Sequence, residues 1–231
     1  MGENKLQIQP LPLLPSLLIF AAPALVFFAG FHLLMPWLID QGRLPYYAYL
    51  TGIGLPLVAM LIAALVALRL EGCPISRRSI AERLRVRPMT GKLWLWSLGG
   101  TVLGGVIGYG LVSQISGTLI RNGILPIPDM VPAFMDPRSG AAAYAAYERA
   151  TGGLVGNPWP AIALTVTLVF NILGEELWWR GIVLPRQEVA FGRWTWVVHG
   201  VLWALFHVFK WWDILNLLPI TLVIAYICSR F

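Results

Sequence analysis

The chain has 231 residues, 58% of them hydrophobic and 12% charged, with a formal net charge of +6. Soluble domains carry about 25% charged residues; here the mean hydropathy is +0.71, which excludes an ordinary soluble globule. Eleven Trp and ten Phe exclude a disordered chain. What remains is one polytopic membrane domain over 1–231, all-α, a helix bundle with about six transmembrane spans.

The head of the chain, Met1-Gly2-Glu3-Asn4-Lys5, holds one Lys and one Glu and so lacks the basic segment of a cleaved signal. Leu6 stands where a myristoylation signal wants Ser or Thr. The first stretch without charge is Leu6–Ile39, and span 1 is expected at Pro15–Leu38. Span 2 is Leu44–Leu68 and span 3 is Leu93–Ile120. Span 4 runs from about Pro160 to Leu184 and is interrupted by Glu175, Glu176 and Arg180. Spans 5 and 6, Trp194–Phe209 and Ile214–Ile227, are short.

Between spans 2 and 3, residues 69–92 carry Arg69, Arg77, Arg78, Arg83, Arg85, Arg87 and Lys92 against Glu71 and Glu82. Residues 121–157 carry three basic and three acidic groups. The positive-inside rule puts 69–92 in the cytoplasm, 121–157 outside and the N-terminus inside. The expected setting is a prokaryotic cell membrane. The basic surplus then reports topology, and no nucleic-acid partner is expected. In the cytoplasmic loop, Ser79-Ile80-Ala81-Glu82 fits a capping box that opens a short helix. Its Ile80 and Leu84 oppose Arg83 and Arg87, so it either lies on the anionic leaflet or stays solvated. Ala141–Arg149 is expected as a surface helix of the outer loop. Gly100, Gly104 and Gly108, four residues apart on span 3, allow another helix to approach closely, inside the monomer or across a dimer.

The chemistry concentrates in Asn171-Ile172-Leu173-Gly174-Glu175-Glu176-Leu177-Trp178-Trp179-Arg180-Gly181. Two carboxylates inside an apolar helix cost on the order of 2.5–3.5 kcal/mol each and mark a functional site. Glu176 and Arg180 are four apart and can pair. Glu175 is turned away from Arg180 and is expected to be the poorly partnered acid. Burial then raises its pKa toward that of a general base. Asn171, one turn before, is placed to hydrogen-bond it. Of the three histidines, His32 reads as interfacial, while His199 and His207 both lie on span 5. Trp178, Trp179, Trp211 and Trp212 read as interfacial anchors.

Glu175-Glu176-x-x-x-Arg180-Gly181, followed by Trp203-x-x-x-His207, resembles the CAAX-processing and bacteriocin-processing membrane proteases, the Abi family. That family includes the type II CAAX prenyl endopeptidases. The resemblance covers 158–231. The second motif is usually Phe-x-x-x-His, and here Trp203 replaces the Phe. The resemblance implies an intramembrane endopeptidase acting on a peptide or a prenylated protein C-terminus. Glu175 would activate water, His207 would steady the oxyanion or relay a proton, and Glu176 and Arg180 would orient the site. A third family motif, His-x-x-x-Asn or His-x-x-x-Asp, does not occur in the 231 residues, so an incomplete site is expected. No cofactor is expected. Glu175 and His207 supply only two donors toward a divalent metal, where catalytic zinc takes three.

Depth argues for His199 instead. At 1.5 Å per residue Glu175 lies ~22 Å below the outer face, which leaves it ~8 Å from the inner one; His199 is ~8 Å and His207 ~20 Å from that inner face. His207 is taken from the resemblance, with His199 as the alternative. Two other readings stand beside the protease. Intramembrane Glu, Arg and His also serve proton-coupled transport or a membrane scaffold. Ser116-Gly117 on span 3 is the one hint of a rhomboid-like serine protease.

Overall fold

The computed structural model describes residues 8–86, 88 and 90–230. The N-terminal Met1-Gly2-Glu3-Asn4-Lys5-Leu6, Arg87 of the basic loop and Phe231 lie outside the described residues. Every regular element among the described residues is helical. Helix α1 is Leu13–Asp40, with a π-helical turn at Gly30–Leu34, and α2 is Pro45–Leu70. A proline at the first position of α2 suits its opening turn. The loop carries the short α3, Arg77–Arg83, and then α4, Gly91–Arg121. On the far side α5 is Ala143–Thr151, two residues on from the expected surface helix. Helix α6 starts as Trp159–Glu175, widens into a π-helical turn at Glu176–Val183 and continues as Leu184–Phe191. Helices α7, Thr195–Phe206, and α8, Ile214–Arg230, follow.

Four stretches are long and apolar enough to cross a membrane: Leu13–Asp40, Pro45–Leu70, Gly91–Arg121 and the 72-residue Trp159–Arg230. The sequence reading divides the last of these into three spans. The chain does bend there, at Gly192 (φ 53°) and at Lys210 (φ −127°, ψ 58°). Gly192 is glycine because a side chain is strained at that positive φ. However, α7 has 12 residues and rises only ~18 Å, short of a ~30 Å hydrocarbon core. By length and composition four stretches qualify, and the last of them, Trp159–Arg230, comprises α6, α7 and α8.

The glycines of α4 face α8. A Cβ on Gly104 would lie 3.0 Å from Ile220 Cα, and one on Gly100 3.0 Å from Ile227 Cδ1. The small-residue stripe is thus used within the chain, where it lets two helices touch backbone to backbone. The core lies where α1, α2, α6 and α7 meet, around Phe20, Phe31, Leu57, Trp179 and Phe206. Long apolar side chains such as Leu14, Leu18, Leu25 and Leu70 are exposed on the outside, as a lipid-facing surface requires.

The loop helix departs from expectation. Its cap is Ser76, which accepts from the Ser79 amide at 3.1 Å, one turn before the expected box. Glu82 pairs with Arg78 instead of reaching back. One face of the helix is docked on the bundle, while Arg78 and Glu82 stay exposed. Ile80 packs against the buried cluster formed by Ala64, Leu68, Cys73, Leu177 and Ile182. Arg83 donates to the Gly181 carbonyl at 2.6 Å and to Glu71 at 2.5 Å. Arg186 takes the other oxygen of Glu71, and Arg85 pairs with Glu188. Arg85 adopts φ 55°, unusual for a non-glycine residue. These ion pairs dock the loop on α6 just beyond Arg180.

Candidate active site

Glu175 closes the α-helical part of α6, and the π turn begins one residue later. Such turns recur at functional sites because they widen the helix and re-aim side chains. Asn171, one turn back, donates to Glu175 Oε1 at 2.8 Å, as its spacing suggests. The expectation that Glu175 lacks partners is overturned. Trp179 Nε1 donates to Oε2 at 3.2 Å, and Trp203 Nε1 donates to the same oxygen at 3.0 Å from α7. An indole offers one N–H donor and no acceptor, so both rings can only hold the carboxyl as an acceptor. Reading Trp179 as an interfacial anchor misses this. It is fully buried, stacked on Phe20 at 4.3 Å with its edge-on neighbour Phe206 at 5.1 Å. Trp212 is buried too.

Arg180 is held on three sides. Glu176 pairs with it across the expected four-residue spacing. Its Nε–H donates to Cys228 Sγ of α8 at 3.2 Å. Its guanidinium lies over the Trp203 ring, 5.1 Å from the centroid, a cation–π contact. Cys228 and the bonding role of Trp203 carry no signal in the sequence, because both arise from contact between helices far apart in the chain.

The two histidines of α7 are separated by their partners. His207 sits at the end of the helix, and its Nδ1 lies 2.9 Å from the Trp203 carbonyl. A carbonyl only accepts, so Nδ1 carries the proton. Among the described residues nothing bonds Nε2. His199 is buried, and its Nδ1 is 2.7 Å from Gln187 Oε1. Gln187 donates to Ser16, and Ser16 to the Leu11 carbonyl. His199 therefore belongs to a buried polar link joining α1, α6 and α7. The depth argument is answered by Trp203. It meets Glu175 directly and lies one turn before His207. The structure thus brings Glu175, Glu176, Arg180 and His207 around one tryptophan.

His32 lies away from this group, with Nε2 2.9 Å from the Phe209 carbonyl and its ring stacked on Trp211. Ser116 is bonded to Asn216 at 2.8 Å, and no histidine touches it among the described residues. No three His, Cys, Asp or Glu side chains gather as a metal site among the described residues. A catalytic zinc takes three protein ligands, of which Glu175 and His207 would be two; the chemistry proposed below uses side chains alone.

Residues 157–231 match the family model described as type II CAAX prenyl endopeptidase Rce1-like. The matched segment holds Glu175, Glu176, Arg180, Trp203 and His207, and it coincides within one residue with the region of resemblance. By its name that family consists of endopeptidases acting on prenylated CAAX ends. Together with four apolar stretches long enough to cross a bilayer, the match marks an integral membrane protein and supports an intramembrane endopeptidase in general. No curated protein and no solved structure matches the chain.

Proposed function

We propose that the chain is a glutamate-dependent intramembrane endopeptidase that cuts a peptide or a prenylated protein C-terminus, with the basic loop 69–92 and the N-terminus on the cytoplasmic side. The observation that carries the reading is Glu175, a carboxylate within an apolar helix, held by three N–H donors, one of them from Trp203, whose carbonyl takes the His207 Nδ1–H and leaves Nε2 open. A merely structural pair would be served by Glu176 and Arg180 alone.

In the proposed step a water O–H bond breaks and its proton passes to Glu175. The freed electron pair forms the bond from water oxygen to the scissile carbonyl carbon, and the carbonyl π pair moves onto its oxygen. The tautomer of His207 favours one of its two expected roles. With Nδ1–H spent on the Trp203 carbonyl, the neutral ring presents only a lone pair at Nε2. It is suited to accept a proton from Glu175 or water and return it to the leaving nitrogen as the C–N bond breaks. Glu176 and the Trp203 ring hold Arg180 in place beside this pair. The third family motif is absent from these residues, and the oxyanion is left without an assigned donor.

The test is cleavage of a quenched fluorescent peptide library, prenylated CAAX ends included, by purified wild type and Glu175→Ala, with and without chelator. Cleavage that survives chelator and falls by about 100-fold or more in the variant is expected, since general-base catalysis contributes roughly 10²–10⁴-fold. Equal cleavage by both proteins overturns the reading. Loss of Glu175 that stops only transport of a proton or solute, with no cleavage by wild type, transfers the site to a proton-coupled carrier.

A further inference from the structure

Trp203 stands where the family motif has Phe, and its indole makes two contacts at once. Its ring face lies under the Arg180 guanidinium at 5.1 Å, and its N–H reaches Glu175 Oε2 at 3.0 Å. A phenyl ring can provide the first contact and not the second. Trp179 donates to the same oxygen. A carboxylate offers about four lone-pair sites, two on each oxygen. The two indoles fill Oε2, and Asn171 occupies one site on Oε1. One lone pair is left, on Oε1.

We infer that Trp203 is a positioning residue that ties Arg180 to Glu175 and, with Trp179, saturates Oε2, so that the proton leaving water is taken by Oε1. Helix α7 thus adds a third donor to the two, Asn171 and Trp179, that the carboxylate finds on its own helix. Trp203 also gives its carbonyl to His207 Nδ1. One residue therefore fixes the base by its side chain and the imidazole by its backbone. The kinetic consequence rests on the endopeptidase reading; the hydrogen bond itself does not.

Two measurements test this. In the first, kcat and KM are compared for wild type, Trp203→Phe and Trp203→Leu. Trp203→Phe keeps the ring under Arg180 and removes only the donor. It is expected to lower kcat by about tenfold or more with KM within about twofold, the mark of an interaction made in the transition state. Trp203→Leu removes both contacts and falls further. An unchanged kcat in Trp203→Phe overturns the proposal. In the second, the indole N–H resonances of the protein in detergent are assigned with Trp179→Phe and Trp203→Phe. Glu175→Ala is then expected to shift the Trp179 and Trp203 resonances and leave that of Trp211, which donates to the Pro126 carbonyl. A Trp203 resonance that does not move overturns the proposal, whatever the cleavage assay shows. A wild type that cleaves nothing counts against the endopeptidase alone, and the resonance still decides the bond.

Discussion

Consider Gly104 and its neighbour Gly105 on α4, each replaced by Ala. The new Cβ at Gly104 would meet the α8 backbone, with Ile220 Cα at 3.0 Å and Ile220 N and the Pro219 carbonyl oxygen at 3.4 Å. Carbon atoms rest at about 3.5–4.0 Å, so α4 must withdraw by roughly 0.5–1 Å from atoms that no rotamer change can move. The new Cβ at Gly105 would find nothing within 4 Å. Both variants gain the same helix propensity, up to about 1 kcal/mol, and that gain cancels between them. What is left is overpacking, about 1–3 kcal/mol. Equilibrium unfolding in detergent is expected to place Gly104→Ala below Gly105→Ala by that amount. Since α8 also carries Cys228, which receives the Arg180 Nε–H, kcat should fall in Gly104→Ala and hold in Gly105→Ala. Equal stability of the two would refute the reasoning and with it the backbone contact between α4 and α8.

Three further outcomes follow from the structure. Glu71→Gln removes the charge shared by Arg83 and Arg186; a loss of about 1–2 kcal/mol, between the values for surface and buried pairs, should appear as faster amide exchange over residues 77–83. Gln187→Leu leaves the His199 Nδ1–H without its acceptor and Ser16 without a donor, and should cost about 1–3 kcal/mol in thermal unfolding. Burial raises the Asp136 carboxyl, but hydrogen bonds from the Arg138 side chain and amide outweigh it and hold the group below its ordinary value. Its contribution is therefore whole above the unfolded carboxylate range and lost as pH falls through the lower folded value. Amide exchange across 137–142 should rise on acidification through that window, and Asp136→Ala should abolish the dependence.

Where charge marks a boundary, the sequence is a sufficient guide. The first three spans are expected at Pro15–Leu38, Leu44–Leu68 and Leu93–Ile120, and the helices are Leu13–Asp40, Pro45–Leu70 and Gly91–Arg121. A charge facing hydrocarbon is costly, so the ends of such a helix are written in the charged residues that flank it. Same-helix spacing likewise finds Glu176 with Arg180 and Asn171 with Glu175. It fails for Trp203 and Cys228, which reach the site from α7 and α8, because no periodicity within one helix reports a contact with another. It fails for Trp179 because an indole in an apolar run reads as hydrophobic bulk while its N–H goes unnoticed. The start of the loop helix is ambiguous for a related reason: Ser76 and Ser79 both suit a cap, and the cap is Ser76.

The matched segment, 157–231, is not mechanically self-sufficient. Phe20 of α1 is the face on which Trp179 stacks. Ser16 closes the link through Gln187 to His199. Leu57 of α2 lies against Gly174, where a Cβ would meet its carbonyl at 2.8 Å, and Arg83 holds the Gly181 carbonyl. Each of these supports comes from the first 90 residues. The chemistry is thus local in sequence while its rigidity is distributed. A graft of the C-terminal third onto another membrane scaffold would carry the motifs without their geometry. During synthesis, the indole that grips Glu175 finds its stacking partner already laid down by α1, which leaves the ribosome before it.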